Sequence, residues 1–293
     1  MMVRPKSFGF NPETAMSNSF QNKGDSEDVS VVAQKEFDEM VALFESEKIN
    51  TKVFEDIEMN LPDSVFPNNW ISHIPGQAIV VYPMLTENRK REVRADVIEY
   101  LVHLLNESSI IDLRTESDLI LEGTGSIIFD HESRTAFACV SPRTDLSLLK
   151  LLCDQIDYKT ITFESVDLQG KQIYHTNVML SIADKFAVIC LESIPDFIER
   201  SMIKKSLESI GKEIVDISYA QMKAFGANAL EVLNVEGESY YAMSKTAFKA
   251  LEKEQIELIE KSSKILPVQI DNIERVGGGS VRCMMAGIFN YPK

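Results

Sequence analysis

Apolar residues fall along this chain in short runs that switch between strand-like and helix-like spacing. Residues 3–21, with the pair Phe8 and Phe10 among Pro, Asn and Ser, read as a strand leading into a loop, and residues 24–28 read as a turn. From 31 to 48, Val32, Phe37, Met40, Val41 and Phe44 recur close to the helical period. A strand is expected at 53–57, closed by a loop at 61–63, and a buried strand at 78–84. A helix at 88–105 sets Arg and Glu against Val97, Ile98, Leu101, Val102 and Leu105. The order then returns. Strands at 118–122, 126–129 and 135–140 precede a helix capped by Thr144 and carrying Leu148, Leu151 and Leu152, with a strand at 161–163 after it. The next round has strands at 178–182 and 186–191, a helix at 196–210 and a strand at 213–215. Another has a helical step at 219–224, strands at 229–233 and 240–243 and a helix at 244–261; segments at 265–268 and 280–288 end the pattern. Short strands, a helix and a further strand thus recur about five times in rounds of order 60 residues, the period of a repeated or propeller-like α/β array.

Composition narrows function more than fold. With 293 residues, 44% hydrophobic and 26% charged, the chain reads as an ordinary soluble protein able to bury a full core. A net charge of -15 and a pI near 4.8 exclude a general affinity for nucleic acid or an anionic membrane. A cationic or zwitterionic small molecule fits better, and association of like chains is compatible with the sequence. Cys139, Cys153, Cys190 and Cys283 form no CxxC pair, and the N-terminus carries no secretory pattern, so reduced thiols and a cytoplasmic location are expected. The four histidines are widely spaced, which leaves no metal site; no cofactor is expected.

Candidate chemistry concentrates near the C-terminus, in Gly277-Gly278-Gly279-Ser280-Val281-Arg282-Cys283. Consecutive glycines bare the backbone N–H groups of Gly278 and Gly279 to a ligand, and a cysteine follows immediately, beside an arginine that favours its thiolate. Glu122, in Leu121-Glu122-Gly123-Thr124-Gly125-Ser126, and His175, in Tyr174-His175-Thr176-Asn177, complete the set needed for covalent catalysis by a thiol: acid, base and nucleophile. Cys139 and Cys190 sit inside apolar strands and fit core packing instead; His73 falls in a loop after Trp70 and has no such support.

These three motifs occur in this order in guanidino-group-modifying enzymes, which the chain resembles over residues 3 to about 289. Phe8-Gly9-Phe10-Asn11-Pro12, Phe66-Pro67-Asn68-Asn69-Trp70 and Ser141-Pro142-Arg143-Thr144-Asp145 make it most similar to the bacterial amidinotransferase-related branch that includes citrulline hydrolases. The resemblance implies a single domain over 1–293, a five-bladed α/β propeller of ββαβ units with its site on the central axis. It implies Cys283 as nucleophile, His175 as general acid and base, and Glu122 as the acid that orients it. It further implies Arg143 as a clamp on a substrate α-carboxylate, Arg89 or Arg91 as a second clamp, Phe10 and Asn11 as a cover and Trp70 as packing beneath.

The departures from the family pattern are informative. Relatives often read Glu-Gly-Gly-Asp where this chain reads Glu122-Gly123-Thr124-Gly125, and arginine deiminases carry acids where it has Asn68-Asn69 and Asn177. A guanidinium would lose charge-assisted bonds worth about 1.5 to 3 kcal/mol each, whereas a neutral ureido group can be matched by amides. Hydrolysis of citrulline is therefore the expected reaction. Its rivals are a deiminase or dimethylaminohydrolase acting on arginine derivatives, an amidinotransferase, and a non-catalytic ribosome-binding propeller.

Overall fold

The computed structural model describes residues 1–18, 20–22, 29–58, 60–105, 109–115 and 118–289; the turn expected at 24–28 lies outside them. Among the described residues, fourteen strands form five sheets. Four are built alike: β3 (Ile71–Ile74), β4 (Ala78–Val81) and β5 (Ile110–Asp112); β6 (Ile128–Asp130), β7 (Thr135–Cys139) and β8 (Lys159–Phe163); β9 (Leu180–Ile182), β10 (Phe186–Ile189) and β11 (Glu213–Asp216); β12 (Leu230–Leu233), β13 (Ser239–Ser244) and β14 (Lys264–Val268). In each, the first strand runs antiparallel to the middle one, and a helical crossover returns the third strand parallel to it. The fifth sheet pairs β1 (Met2–Arg4) with β2 (Val53–Glu55) in parallel across the helix Val29–Ser46. There Met1 and Ala286 exchange backbone hydrogen bonds of 2.9 Å in both directions, so the C-terminal segment takes the place that a first strand takes elsewhere. The ring of five ββαβ blades, a mixed α/β propeller, is closed by that exchange.

Local chemistry explains where the pattern misled. The expected helix at 88–105 is two helices, Glu87–Lys90 and Ala95–Leu105, because Arg89 turns inward onto Glu92. The expected helix at 244–261 breaks where Glu252 starts a new capping box with Gln255. Asp145, not Thr144, caps the helix Leu146–Ile156: its carboxylate accepts from the N–H groups of Ser147 and Leu148 at 2.9 Å. Residues 118–122 are not a strand; only Leu121 makes an isolated bridge, to Thr144. Residues 281–284 form a turn within the expected segment 280–288. His73 lies on β3 rather than in a loop, its Nδ1 accepting from the N–H of Phe289.

One unforeseen element positions the cysteine. The helix Asp271–Gly277 starts where Glu36, reaching from the helix Val29–Ser46, accepts from the N–H groups of Asn272 and Ile273 at 2.8 and 2.9 Å. A cap supplied across 236 residues leaves no local sequence signal. The helix ends at Gly278, whose φ of 64° is left-handed, and this reversal turns the chain toward Cys283.

Candidate functional site

Each blade's first strand is preceded by a turn, and these turns meet. Pro67–Asn69 leads into β3, Gly123–Ser126 into β6 and Thr176–Val178 into β9; the residues at their heads are Phe66, Glu122 and His175. Glu122 and His175 therefore hold equivalent places in successive blades. None of these three side chains caps its own turn. His175 Nε2 lies 2.8 Å from Glu122 Oε2, and both residues are buried.

The electrostatics fix the protonation of that pair. Burial works against the charge on Glu122, but the Arg143 guanidinium at 3.1 Å, the His175 hydrogen bond and the more distant Arg89 outweigh it and hold the carboxyl well below its usual range. Its other oxygen accepts from the Leu85 N–H at 3.0 Å. Burial pushes His175 down to about 4, against the pull of Glu122, so the imidazole is neutral near pH 7. A neutral ring facing a carboxylate donates from Nε2 and leaves a lone pair on Nδ1. Gly125 is what gives Nδ1 room, since a Cβ there would stand 2.9 Å from it and 2.2 Å from Asn69 Nδ2.

Cys283 Sγ receives two amide contacts, from Asn177 Nδ2 at 3.4 Å and Asn228 Nδ2 at 3.3 Å. Asn177 lies on the turn headed by His175, and so joins the sulfur to the histidine's blade. Gly279 brings the cysteine turn close to Phe66: an added Cβ would meet the Phe66 ring at 2.9 Å and Cys283 Cβ at 3.3 Å. Gly278 uses its N–H on Glu274 O, so it does not present that group to a ligand as expected. Its carbonyl accepts from Tyr174 Oη and Asn18 Nδ2, while Gln21 Nε2 donates to Gly277 O. The N-terminal loop is thereby fastened onto the glycine run.

The remaining expected site residues divide sharply. Arg91 is surface-exposed and pairs with Glu58, away from the site. Arg89 is buried, but its guanidinium is engaged by Glu92, by Asn69 Oδ1 at 2.8 Å and by the carbonyls of Asp63 and Phe66. It therefore holds Asn69 in place instead of clamping a substrate. Arg143 lies over the Tyr174 ring and reaches Glu122, Ser17 Oγ and Thr14 O, so it tethers the N-terminal loop to the acid. Asn11 is buried and donates from Nδ2 to Asp63 Oδ2 at 2.7 Å; Phe10 packs against the apolar cluster that contains Cys283. Trp70 is buried with Val3, Ile71 and Ile79.

Two polar residues were missed. Asp63, in the loop expected at 61–63, is buried and accepts from Asn11 and Thr14 with one oxygen, while its Oδ1 has no hydrogen-bond partner among the described residues. Burial raises its pKa against the pull of Arg89. Asn228 is the other. Both polar atoms of Asn68 and the Oδ1 of Asn177 are likewise buried without partners among the described residues. Buried polar groups in folded proteins are normally satisfied, so the unpartnered Oδ1 of Asn177, on the residue whose Nδ2 meets the sulfur, marks where a polar ligand fits.

A sequence profile of the family described as N,N dimethylarginine dimethylhydrolase, eukaryotic, matches residues 4–290. No curated protein matches the chain. Among solved structures, the N-terminal domain of ArgZ, an arginine dihydrolase from the ornithine–ammonia cycle in cyanobacteria, is 17% identical, covering 97% of this chain and 95% of that one at a TM-score of 0.73. AgrE, in a binary complex with L-arginine, is 18% identical at a TM-score of 0.72; the match covers 97% of this chain but 39% of AgrE. DDAH from Pseudomonas aeruginosa, complexed with citrulline, is 11% identical, covering 97% and 96% at a TM-score of 0.68. These likenesses establish the fold, and the profile establishes the family. The chain belongs to the N,N-dimethylarginine dimethylhydrolase family, hydrolases of the guanidino-group-modifying superfamily that act on carbon–nitrogen bonds other than peptide bonds.

Proposed function

We propose that residues 1–293 act as one propeller domain that hydrolyses the ureido group of citrulline, with Cys283 as nucleophile, His175 as base and then acid, and Glu122 as its partner. The observation that carries this reading is the state of the charged groups around Cys283. Glu122 and Glu92 are each already paired with a buried arginine, whereas Asn177, whose Nδ2 meets the sulfur, and Asn68, at the same position of the turn Pro67–Asn69, keep buried polar atoms without partners among the described residues. An amide pocket matches a neutral ureido head, which both donates and accepts. Asp63 Oδ1, left without a partner among the described residues, suits the α-ammonium of the same amino acid.

In the first half-reaction the Cys283 proton passes to His175 Nδ1 as sulfur bonds to the ureido carbon. Glu122 stabilises the imidazolium, which returns the proton to the departing amino group, so ammonia leaves and a thiocarbamate remains on sulfur. His175 next takes a proton from water as its oxygen attacks that carbon. The carbon–sulfur bond breaks, and the carbamate released decays to ornithine and carbon dioxide. The net reaction is citrulline plus water to ornithine, ammonia and carbon dioxide. Free, buried cysteines support a reducing compartment such as the cytoplasm.

A second reading has one specific observation behind it: the same Asp63 oxygen could receive a guanidinium, and ArgZ and AgrE are described with arginine. Ornithine and ammonia release from citrulline and from arginine separates the two. Citrulline should be turned over at least about tenfold faster in kcat/KM, the margin of one charge-assisted hydrogen bond. A preference for arginine would overturn the ureido reading. A merely structural propeller is disfavoured by the contact between His175 and Glu122, which a protein without proton chemistry does not require.

A further inference from the structure

Asn228 stands at the head of β12, between Ala227 and Ala229, with all three residues buried. Its side chain is thus the polar group of an otherwise apolar turn. Nδ2 donates to Asn177 O at 3.1 Å and to Cys283 Sγ at 3.3 Å, while Oδ1 lies 3.5 Å from the same sulfur. Its backbone is held as well: its N–H donates to Phe225 O at 2.8 Å, and its carbonyl accepts from the Arg282 N–H at 3.4 Å. One residue therefore ties together the turn of His175, the opening of β12 and the turn of the nucleophile. His175 Nε2, by contrast, is occupied by Glu122.

We infer that Asn228 is the positioning residue of the Cys283 sulfur: its Oδ1 accepts from the thiol, its Nδ2 donates to the thiolate, and with Asn177 it aims and stabilises the anion independently of His175. This deepens the proposed function, since it rests on Cys283 being the nucleophile. Neutral amides suit the task because they stabilise the sulfur anion without adding a net positive charge beside a neutral or zwitterionic substrate. A carboxylate at the same place would repel the thiolate. An alanine would leave it with one donor fewer in a buried setting, where an unmet charge is costly.

The test reads the sulfur without any substrate, so it can fail or succeed apart from the reaction proposed above. Burial pushes Cys139 up to about 11 and Cys153 and Cys190 up to about 12, so iodoacetamide at neutral pH reports on Cys283. Alkylation rates, followed by mass spectrometry from pH 6 to 10, should show a midpoint raised by roughly one to two pH units in Asn228→Ala, the shift expected for losing one hydrogen bond to a charged group. Asn228→Asp, of nearly the same shape, should raise it at least as far, and its circular dichroism and melting should match the wild type. A midpoint unmoved in folded Asn228→Asp, or one that moves in His175→Ala while Asn228→Ala stays at the wild-type value, overturns the inference. In steady-state assays, Asn228→Ala should lower kcat roughly tenfold or more at pH 7 and leave KM within about twofold, a split that a general loosening of the pocket would not give.

Discussion

The turns Pro67–Asn69 and Thr176–Val178 are built alike and do different work. Both lead into a first strand, both carry an asparagine at the middle position, and both close with the N–H of the next residue on the first carbonyl, Trp70 to Pro67 at 3.2 Å and Met179 to Thr176 at 3.0 Å. They differ in the residue at the head. Phe66 fills the space left by the missing side chains of Gly277 and Gly279, whereas His175 faces Glu122. Their asparagines differ too: Asn68 has no partner for either polar atom among the described residues, while Asn177 gives its N–H to Cys283. The propeller thus supplies equivalent positions that converge, and the residue type at each decides between packing, proton transfer and recognition.

The comparison breaks most visibly if the two heads are made the same. His175→Phe should reduce ammonia release from the preferred substrate by about a thousandfold, the usual worth of a general acid–base, while the fold persists because Phe66 shows that such a turn accommodates the ring. Activity within tenfold of wild type would mean that His175 is not the proton carrier.

Swapping the middle residues sharpens it further. Asn68→Asp places an anion in the pocket away from the sulfur and should raise the ratio of arginine to citrulline turnover, in kcat/KM, by about tenfold. Asn177→Asp instead replaces a donor on Cys283 with a negative charge and should slow both substrates. If the two variants behave alike, the asparagines share one role, and the division drawn here between recognition and the nucleophile is wrong.

Much of this contrast could be read in the sequence, and the part that could not has physical causes. Glu122, His175 and Cys283 each lie in a short motif with a glycine or polar step, but it was the resemblance to guanidino-group-modifying enzymes that gave them roles and implied that loops of successive blades converge. Asp63 did not stand out: it is one of 45 acids, and only its burial beside Asn11 and Thr14 distinguishes it. Asn228 was silent for a similar reason, since an amide among alanines predicts a turn and nothing about a sulfur 55 residues away. Arg89 and Arg91 read as equals on one helix face. Tertiary structure separated them by ending that helix and burying one guanidinium against Glu92. Short elements were lost as well: β3 and β5, of four and three residues, are held by neighbours rather than by propensity.

The smallest expected effect concerns protons rather than rates. Burial pushes His175 down to about 4 from 6.5, so the folded protein keeps the ring neutral while the unfolded chain takes up a proton below 6.5. A depressed value of this kind means that stability is lost as pH falls from 6.5 toward 4, and between pH 7 and 5.5 the loss is roughly 1 kcal/mol. His131, also pushed down to about 4 by burial, adds a similar loss but does so in every variant, and it cancels on comparison. Urea unfolding at the two pH values should therefore cost the wild type about 1 kcal/mol more than His175→Phe, in which both turns carry a ring that cannot be protonated. A smaller cost in the wild type than in His175→Phe would mean that His175 rests as an imidazolium on Glu122, since a raised value adds stability as pH falls. It would then have no lone pair on Nδ1 to take the cysteine's proton, and the two turns would differ in charge before any substrate arrives.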